Sequence, residues 1–496
     1  MNLKSLAKDT AIYGLSSIVG RFLNYLLVPI YTTKIAAESG GYGIVTNLYA
    51  YTAFFLALLT FGMETTLFRF CNKDGEDDKM VFSSALRMVG SVGICFLLIV
   101  FALLKPISGA LGYAAHPEYV GCMAIIVALD AFQAIMFSRL RQQSRPVKFM
   151  CLKFAFIIPN VLLNLFIFMV MPKMFGAHPA LEQMYVRFDY GVGLIFFVNL
   201  ICTALVTFGF AKELRGIFYG FDKSLAKRML AYTWPLMLFS IVGILNQVAD
   251  KMLFPFLMPG EEGKVQLGIY GACVKIAMLM SLLTQAFRYA YEPIVFNGSR
   301  DKNSPETLAD GMKYFVIFII MAFLAVMFYL PILKYFVGSG YWEGLKVIPI
   351  VMAAEIFMGI YFNLSFWYKL TDKTWWGAIL SAIGAAVMIA VNVIGVPRWG
   401  YMACAWGGFA GYGTAMVLSY FIGQKKFPIN YDIAGIFRFL VLAVLLYGIS
   451  VSLREAFGVS VTTPLFDWHC IAYLACNTVL LATYGSLIYK SLRHAA

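Results

Sequence analysis

Apolar runs of about 20 residues recur along the whole chain, separated by short clusters of charge, and about 20 residues of helix is what crosses the hydrocarbon core of a bilayer. This pattern leaves few folds open. Hydrocarbon offers no water to backbone N–H and C=O groups, so a spanning segment satisfies them within a helix or a closed barrel. Runs of this length suit the helix. Composition agrees: 61% of the 496 residues are hydrophobic and 13% are charged, about half the charge of a soluble domain. Such a chain cannot cover itself with a water-compatible surface. The fold predicted is an all-α integral membrane protein of about 14 spans, at roughly 9–33, 41–66, 80–104, 118–138, 149–171, 189–210, 230–257, 267–290, 311–336, 345–368, 374–396, 400–422, 432–452 and 466–489. The connectors are short and carry breakers such as Pro172, Pro259-Gly260, Gly338-Ser339-Gly340, Pro397 and Pro428. The first run opens after Lys8-Asp9 and contains Arg21 and Asn24. It is too long and too polar for a cleaved signal, so it is expected to be retained.

Lysine and arginine set the expected orientation. Arg139, Arg141, Arg145, Lys148 and Lys153 flank the connector after the fourth span. Lys212, Arg215, Lys223, Lys227 and Arg228 follow the sixth, Lys425 and Lys426 the twelfth, and Lys490 and Arg493 close the chain. These connectors fall on one side, and the positive-inside rule makes that side, with both termini, cytoplasmic. The same clusters account for most of the net charge of +13. A nucleic-acid partner is excluded, because no soluble module exists to present a basic groove. The nine cysteines form no CxxC pair, and no metal-ligand spacing is visible.

The chain also reads as if written twice. Tyr42-Gly43 falls on Tyr270-Gly271, Glu64 on Glu292, Phe68 on Phe296 and Asn164 on Asn392, each 228 residues on. Asn24 and Pro29 fall on Asp250 and Pro255, 226 on, and Asp130 falls near Glu355, 225 on. That offset covers six spans, an even number, so both copies cross in the same direction. The expected architecture is two six-helix lobes, 1–215 and 216–430, related by a parallel pseudo-two-fold axis along the membrane normal, with two further helices in 431–496. Pro29 and Pro255 are matched hinge positions, or else static kinks.

Ionisable residues inside spans are costly and face protein or water. Arg21 lies near mid-depth of the first span with Asn24 on the same face, and Lys275 and Arg288 lie on the eighth. These four are the candidate binding residues: they would line a cavity between lobes and attract an anionic group, with phosphate or pyrophosphate the natural candidate. The acids Asp250, Glu64, Glu292, Asp130 and Glu355 would carry protons, coordinate Na⁺ or hold the cations by pairing. Glu64 and Glu292, at span ends, suit structural or gating ion pairs. The competing reading is that all these charges merely fix helix packing. No cofactor, metal or catalytic residue is expected beyond H⁺ or Na⁺ coupling. His116, His178, His469 and His494 lie in connectors, at span ends or in the tail, so a buried histidine relay is not expected. Gly338-Ser339-Gly340 lacks the strand and helix of a phosphate loop and reads as a turn.

Several stretches resemble bacterial polysaccharide flippases of the multidrug/oligosaccharidyl-lipid/polysaccharide exporter superfamily. They are Leu6-Ala7-Lys8-Asp9-Thr10-Ala11-Ile12-Tyr13-Gly14 with Arg21-Phe22-Leu23-Asn24 and Pro29, then Gly62-Met63-Glu64-Thr65 with Phe68-Arg69-Phe70. Later come Gln285-Ala286-Phe287-Arg288-Tyr289 with Glu292-Pro293, and Asn392-Val393 followed by Val396-Pro397-Arg398-Trp399-Gly400-Tyr401 and Ala403-Cys404-Ala405-Trp406. The resemblance implies a fourteen-helix fold working by alternating access. The implied substrate is an oligosaccharide on undecaprenyl pyrophosphate, moved from the inner to the outer leaflet of the bacterial inner membrane for O-antigen, capsule or exopolysaccharide. A glycan polymerase and a chain-length regulator are the implied partners, besides membrane lipids. Lipid II flippases are related and bind pyrophosphate through cavity arginines, of which Arg21 is the nearest counterpart here. A cation-coupled multidrug exporter is the alternative, but it calls for an apolar or acidic cavity. A membrane polysaccharide polymerase would need a large outer loop, whereas the longest outer connector runs only from Pro172 to Phe188.

Overall fold

The computed structural model describes residues 25–73, 75–298, 304–371 and 373–495, and among these it contains helices and turns but no strand. The principal helices are α1 (Leu27–Lys34), α2 (Gly41–Thr60), α3 (Met63–Cys71), α4 (Asp78–Ala102), α5 (Pro117–Gln142), α6 (Pro146–Leu165), α7 (Pro179–Arg187), α8 (Val192–Gly209) and α9 (Lys223–Leu257). They continue with α10 (Glu261–Gly298), α11 (Ser304–Phe328), α12 (Ile348–Leu364), α13 (Phe366–Leu370), α14 (Trp375–Trp399), α15 (Met402–Lys426), α16 (Ile433–Ala456) and α17 (Trp468–Ala495). Twelve helical segments among the described residues are long and apolar enough to cross a membrane. The protein is therefore a multi-pass membrane protein. Two of the fourteen expected spans are not among the twelve. For the first, only the stretch from residue 25 is described. The twelfth is present as α15, whose 25 residues suffice in length, but its glycines and aromatics dilute its apolarity.

The described chain packs as two compact units, one ending at Gly268 and the other starting at Ile269. In the first, α2 packs on α5 and α9, α5 on α4 and α8, and α6 on α8. Leu67, Val81, Leu86, Ala131, Ile135, Leu140, Phe210 and Met229 form its buried centre. The repeat places α9 at the start of the second copy, and its contacts in the first unit lie with α2, α3 and α4. In the second unit α14 packs on α15, α15 on α12, and α11 on α12, α16 and α17. Gly384 and Gly411 let α14 and α15 touch backbone to backbone, since a Cβ on either would press the other's carbonyl at 2.7–2.9 Å.

The two C-terminal helices are fastened by polar contacts. Asn477 donates to the Phe328 carbonyl at 3.0 Å, and Ser450 donates to Asn477 at 2.8 Å. Buried Lys334 donates to the carbonyls of Val461 and Thr463, each at 2.7 Å, and burial lowers its pKa. Asp432 caps α16 and pairs with Lys313 at 2.7 Å. That pair and the Gly435 amide hold its carboxyl below the usual carboxylate range.

Within the first unit, the seam between α2, α3 and α9 is closed by hydrogen bonds near both ends. Pro255 lacks an N–H, so the Lys251 carbonyl one turn earlier loses its helical donor. The Asn47 amide, fully buried on α2, donates to that carbonyl at 2.7 Å. Tyr51 donates to the next carbonyl, Met252, at 2.9 Å, and Tyr113 donates to the Asn47 oxygen at 2.7 Å. Towards the other end the helix breaks between α2 and α3, where Phe61 and Gly62 have φ of +35° and +76°. Thr233 of α9 donates to the stranded Phe61 carbonyl at 2.9 Å, and Thr66 donates to Thr233 at 2.8 Å. Asn47→Ala is expected to destabilise the purified protein by about 1–3 kcal/mol, the cost of unpaired buried polar groups. In a Pro255→Ala background, where the restored backbone amide can serve the Lys251 carbonyl, the loss should shrink by about 1 kcal/mol. Additive effects in this double-mutant cycle, read by chemical or thermal unfolding, would remove the account.

Candidate functional site

Acids and cations meet at corresponding positions of the two units. In the first, Glu64 lies in the first turn of α3 and faces the C-terminal turns of α5. Arg141 pairs with it at 2.8 Å and Ser138 donates to the same oxygen at 3.0 Å. The Arg141 guanidinium also lies over the Phe68 ring, 5.4 Å from its centroid. In the second unit, Glu292 accepts from Arg288, one turn earlier on α10, at 3.3 Å. Lys369 of α13 reaches the same oxygen at 3.5 Å. Arg288 and Lys369 stand 4.7 and 4.4 Å from the centroid of one ring, Phe362. Glu64 and Glu292 are 228 residues apart, and so are Arg141 and Lys369. The repeat thus extends to the pair as a pair. The second copy differs by one cation: its single carboxylate faces both Arg288 and Lys369, and the Arg288 side chain is 47% exposed. An exposed guanidinium and a half-buried ammonium sharing one carboxylate suit phosphate oxygens, and an aromatic face beneath two cations holds them in place.

The remaining acids are more enclosed. Asp250 is buried on α9 and both its oxygens accept from its neighbour Lys251, at 2.9 and 3.0 Å. Asp130 is half-buried on α5, near Lys153 and the Thr203 hydroxyl. It stands in a polar seam in which Gln133 donates to Thr203 and Thr207 at 2.8 Å and Asn199 donates to Tyr49 at 2.8 Å. Glu355 of α12 accepts from Ser281 of α10 at 2.6 Å. Lys275 is half-buried on α10, 228 residues beyond Asn47, the residue that serves the Lys251 carbonyl. Arg21 and Asn24 lie outside the described residues. The structure therefore joins Arg288 to Glu292 as an ion pair at the end of the span. It adds Arg141 and Lys369, which sequence reasoning counted only as connector charge. Adding 228 to Arg141 was the signal that would have found Lys369.

Further basic groups crowd the ends of the first unit's helices. Glu213, buried, is held by Arg145 at 3.1 Å and Lys148 at 2.5 Å. Arg139, also buried, pairs with Asp78 at 2.8 Å. Glu213 therefore also faces two cations, and these pairs fasten α4 to α5 and the start of α6 to the segment after α8.

Over residues 6–294 the chain matches the family described as polysaccharide biosynthesis protein. No curated protein sequence matches it. Among solved structures it is similar to the lipid II flippase MurJ in an inward closed conformation, at 15% identity and a TM-score of 0.73, over 97% of this chain and 99% of that one. It is also similar to an inward-facing multidrug resistance MATE family transporter of the MOP superfamily, at 13% identity and a TM-score of 0.65, over 84% of this chain and 97% of that one. A MATE structure in the straight conformation aligns at 15% identity and a TM-score of 0.56, over 84% of this chain and 95% of that one. At such identities the likeness concerns the fold alone. With a match covering more than half of its residues, this chain belongs to the polysaccharide biosynthesis protein family.

Proposed function

We propose that this protein moves an oligosaccharide carried on undecaprenyl pyrophosphate from the inner to the outer leaflet of the bacterial inner membrane, by alternating access, for O-antigen, capsule or exopolysaccharide synthesis. The observation that carries this reading is the surplus positive charge of Arg288 and Lys369 beside their single shared carboxylate. A lipid-linked glycan presents its anionic charge at the phosphates, next to the sugar, where such a cluster is useful. Family membership supports the glycan part. The flippase-like fold extends over 97% of the chain, against 84% for the multidrug transporter, which favours a flippase over a drug exporter. In this reading Arg21, Asn24 and Lys275 contact the pyrophosphate along with Arg288. Asp130, Asp250 and Glu355 are coupling acids for H⁺ or Na⁺, and Glu64 with Arg141 and Glu292 with Lys369 are gating pairs. Both termini are cytoplasmic, and a glycan polymerase and a chain-length regulator act on the delivered product. A lipid II flippase is the second reading, favoured by the extent of the fold agreement.

Arg21→Ala and Lys275→Ala are expected to abolish surface glycan and to accumulate its lipid-linked precursor, with protein levels near normal. Normal glycan export by both variants would end the cationic reading. Arg288→Ala and Lys369→Ala should each weaken transport about tenfold, because one charge-assisted contact is worth about 1.5–3 kcal/mol when dry and less when half exposed. Charge reversal separates binding from packing. If Glu292→Lys loses export and Glu292→Lys with Lys369→Glu regains it, the pair is structural and the phosphate is bound elsewhere.

A further inference from the structure

His116 lies at the start of α5, outside any span, and is pressed between two carboxylates. Its Nδ1 is 2.9 Å from Glu118 and its Nε2 is 3.4 Å from Asp189. Its ring lies flat on Tyr119, centroids 4.8 Å apart and planes within 7°. Tyr119, buried, donates to the other Asp189 oxygen at 2.9 Å. Asp189 belongs to the connector between α7 and α8, where Asp189, Tyr190 and Gly191 all have positive φ, at +48°, +52° and +94°. Two consecutive non-glycine residues in the left-handed region are strained and persist only where contacts hold them. His116 and Tyr119 hold the Asp189 side chain, and the Val192 amide holds its carbonyl at 3.2 Å.

Donor counting decides the protonation state that this geometry serves. A neutral imidazole has one N–H and one lone pair, so it can serve one of the two carboxylates and must turn its lone pair on the other. An imidazolium can donate to Glu118 through Nδ1 and face Asp189, 3.4 Å from Nε2, as an ion pair. The titratable groups placed against the ring are Glu118 and Tyr119 on its own helix and Asp189 from the facing connector, and each is anionic when ionised.

The clasp does not end there. The His116 amide donates to the Tyr113 carbonyl at 3.1 Å. Tyr113, also buried, donates to Asn47, and Asn47 serves the Lys251 carbonyl that Pro255 leaves open. We propose that His116 is a proton-binding site: its protonation clasps the connector before α8 to the start of α5 and, through Tyr113 and Asn47, steadies the proline break in α9. On the topology proposed above this end of the unit faces away from the cytoplasm, so the site would sample the acidic side of an energised membrane. The inference does not depend on which glycan is moved.

Backbone hydrogen exchange of the full-length protein in nanodiscs tests it, corrected for the intrinsic pH dependence of exchange. Amides of 186–193 and 249–254 are expected to exchange about fivefold more slowly near pH 5.5 than near pH 8, the range over which histidine changes charge. In His116→Gln the difference should vanish, and in Asp189→Asn, which keeps the side-chain shape, it should fall in 186–193. In Tyr113→Phe it should persist in 186–193 and disappear from 249–254. A wild-type protein with no pH difference in these segments overturns the proposal even if every variant misfolds. So does a difference that survives in His116→Gln. Failure of this test leaves the glycan reading standing, since no transport is measured.

Discussion

A carbonyl stranded in hydrocarbon has no water to turn to, and the architecture of the first unit follows from where its carbonyls are stranded. Proline in a spanning helix removes one donor, and in lipid the loss is repaired by a neighbouring side chain or not at all. Pro255 creates such a vacancy at Lys251, and Asn47 fills it. The break at Phe61-Gly62 creates another, and Thr233 fills that one. Both repairs join the same elements, so the polar needs of two irregular points select which helices lie together. The apolar faces alone could not choose, because Leu, Val and Phe gain as much from lipid tails as from one another.

The duplication acts on the same economy of polar contacts. A Glu and a cation separated by the same interval recur in both units, and an aromatic ring lies beneath the cation each time: Phe68 under Arg141, Phe362 under Lys369. A pair that only fixed packing would tolerate any arrangement of charge that summed to zero. The first copy comes close to that balance, with one cation on Glu64. The second carries Arg288 in addition, and the imbalance is what distinguishes it. Binding an anion would use the extra cation.

The spans were legible because hydropathy is a property of runs, and a run of about 20 apolar residues has one structural solution in a bilayer. Even so, α15 shows that a helix rich in glycine and aromatics can match the expected span while lacking its apolarity. The break within the predicted span 41–66 was not legible. It turns on two left-handed residues, one of them a phenylalanine, and no propensity announces that. At the site, Glu64, Glu292 and Arg288 could be named, since acids and bases within apolar spans stand out. Arg141 and Lys369 could not, because they are ordinary connector charges until the structure places them beside a repeated acid. Asn47 was invisible for a different reason: it is neutral, and its importance derives from a proline more than two hundred residues away.

The seam along α9 shows how the pieces bear on movement. Only 11% of that helix's most apolar window is buried, so its attachment to α2 and α3 rests on hydrogen bonds more than on packed area. Four such bonds join it, those of Asn47, Tyr51, Thr66 and Thr233. Interhelical hydrogen bonds in membranes average about 0.6 kcal/mol, which puts the set near 2–3 kcal/mol. A closure of that strength is specific in register, because each bond serves a particular stranded carbonyl or hydroxyl. It is also weak enough to be opened by a ligand that favours the open form about a hundredfold, since tenfold in affinity corresponds to about 1.4 kcal/mol. The seam sets the polar residues Asn47, Thr66 and Thr233 beside the buried apolar side chains of Leu67 and Met229. The contacts that satisfy the backbone are therefore the same contacts that fix the register of the seam.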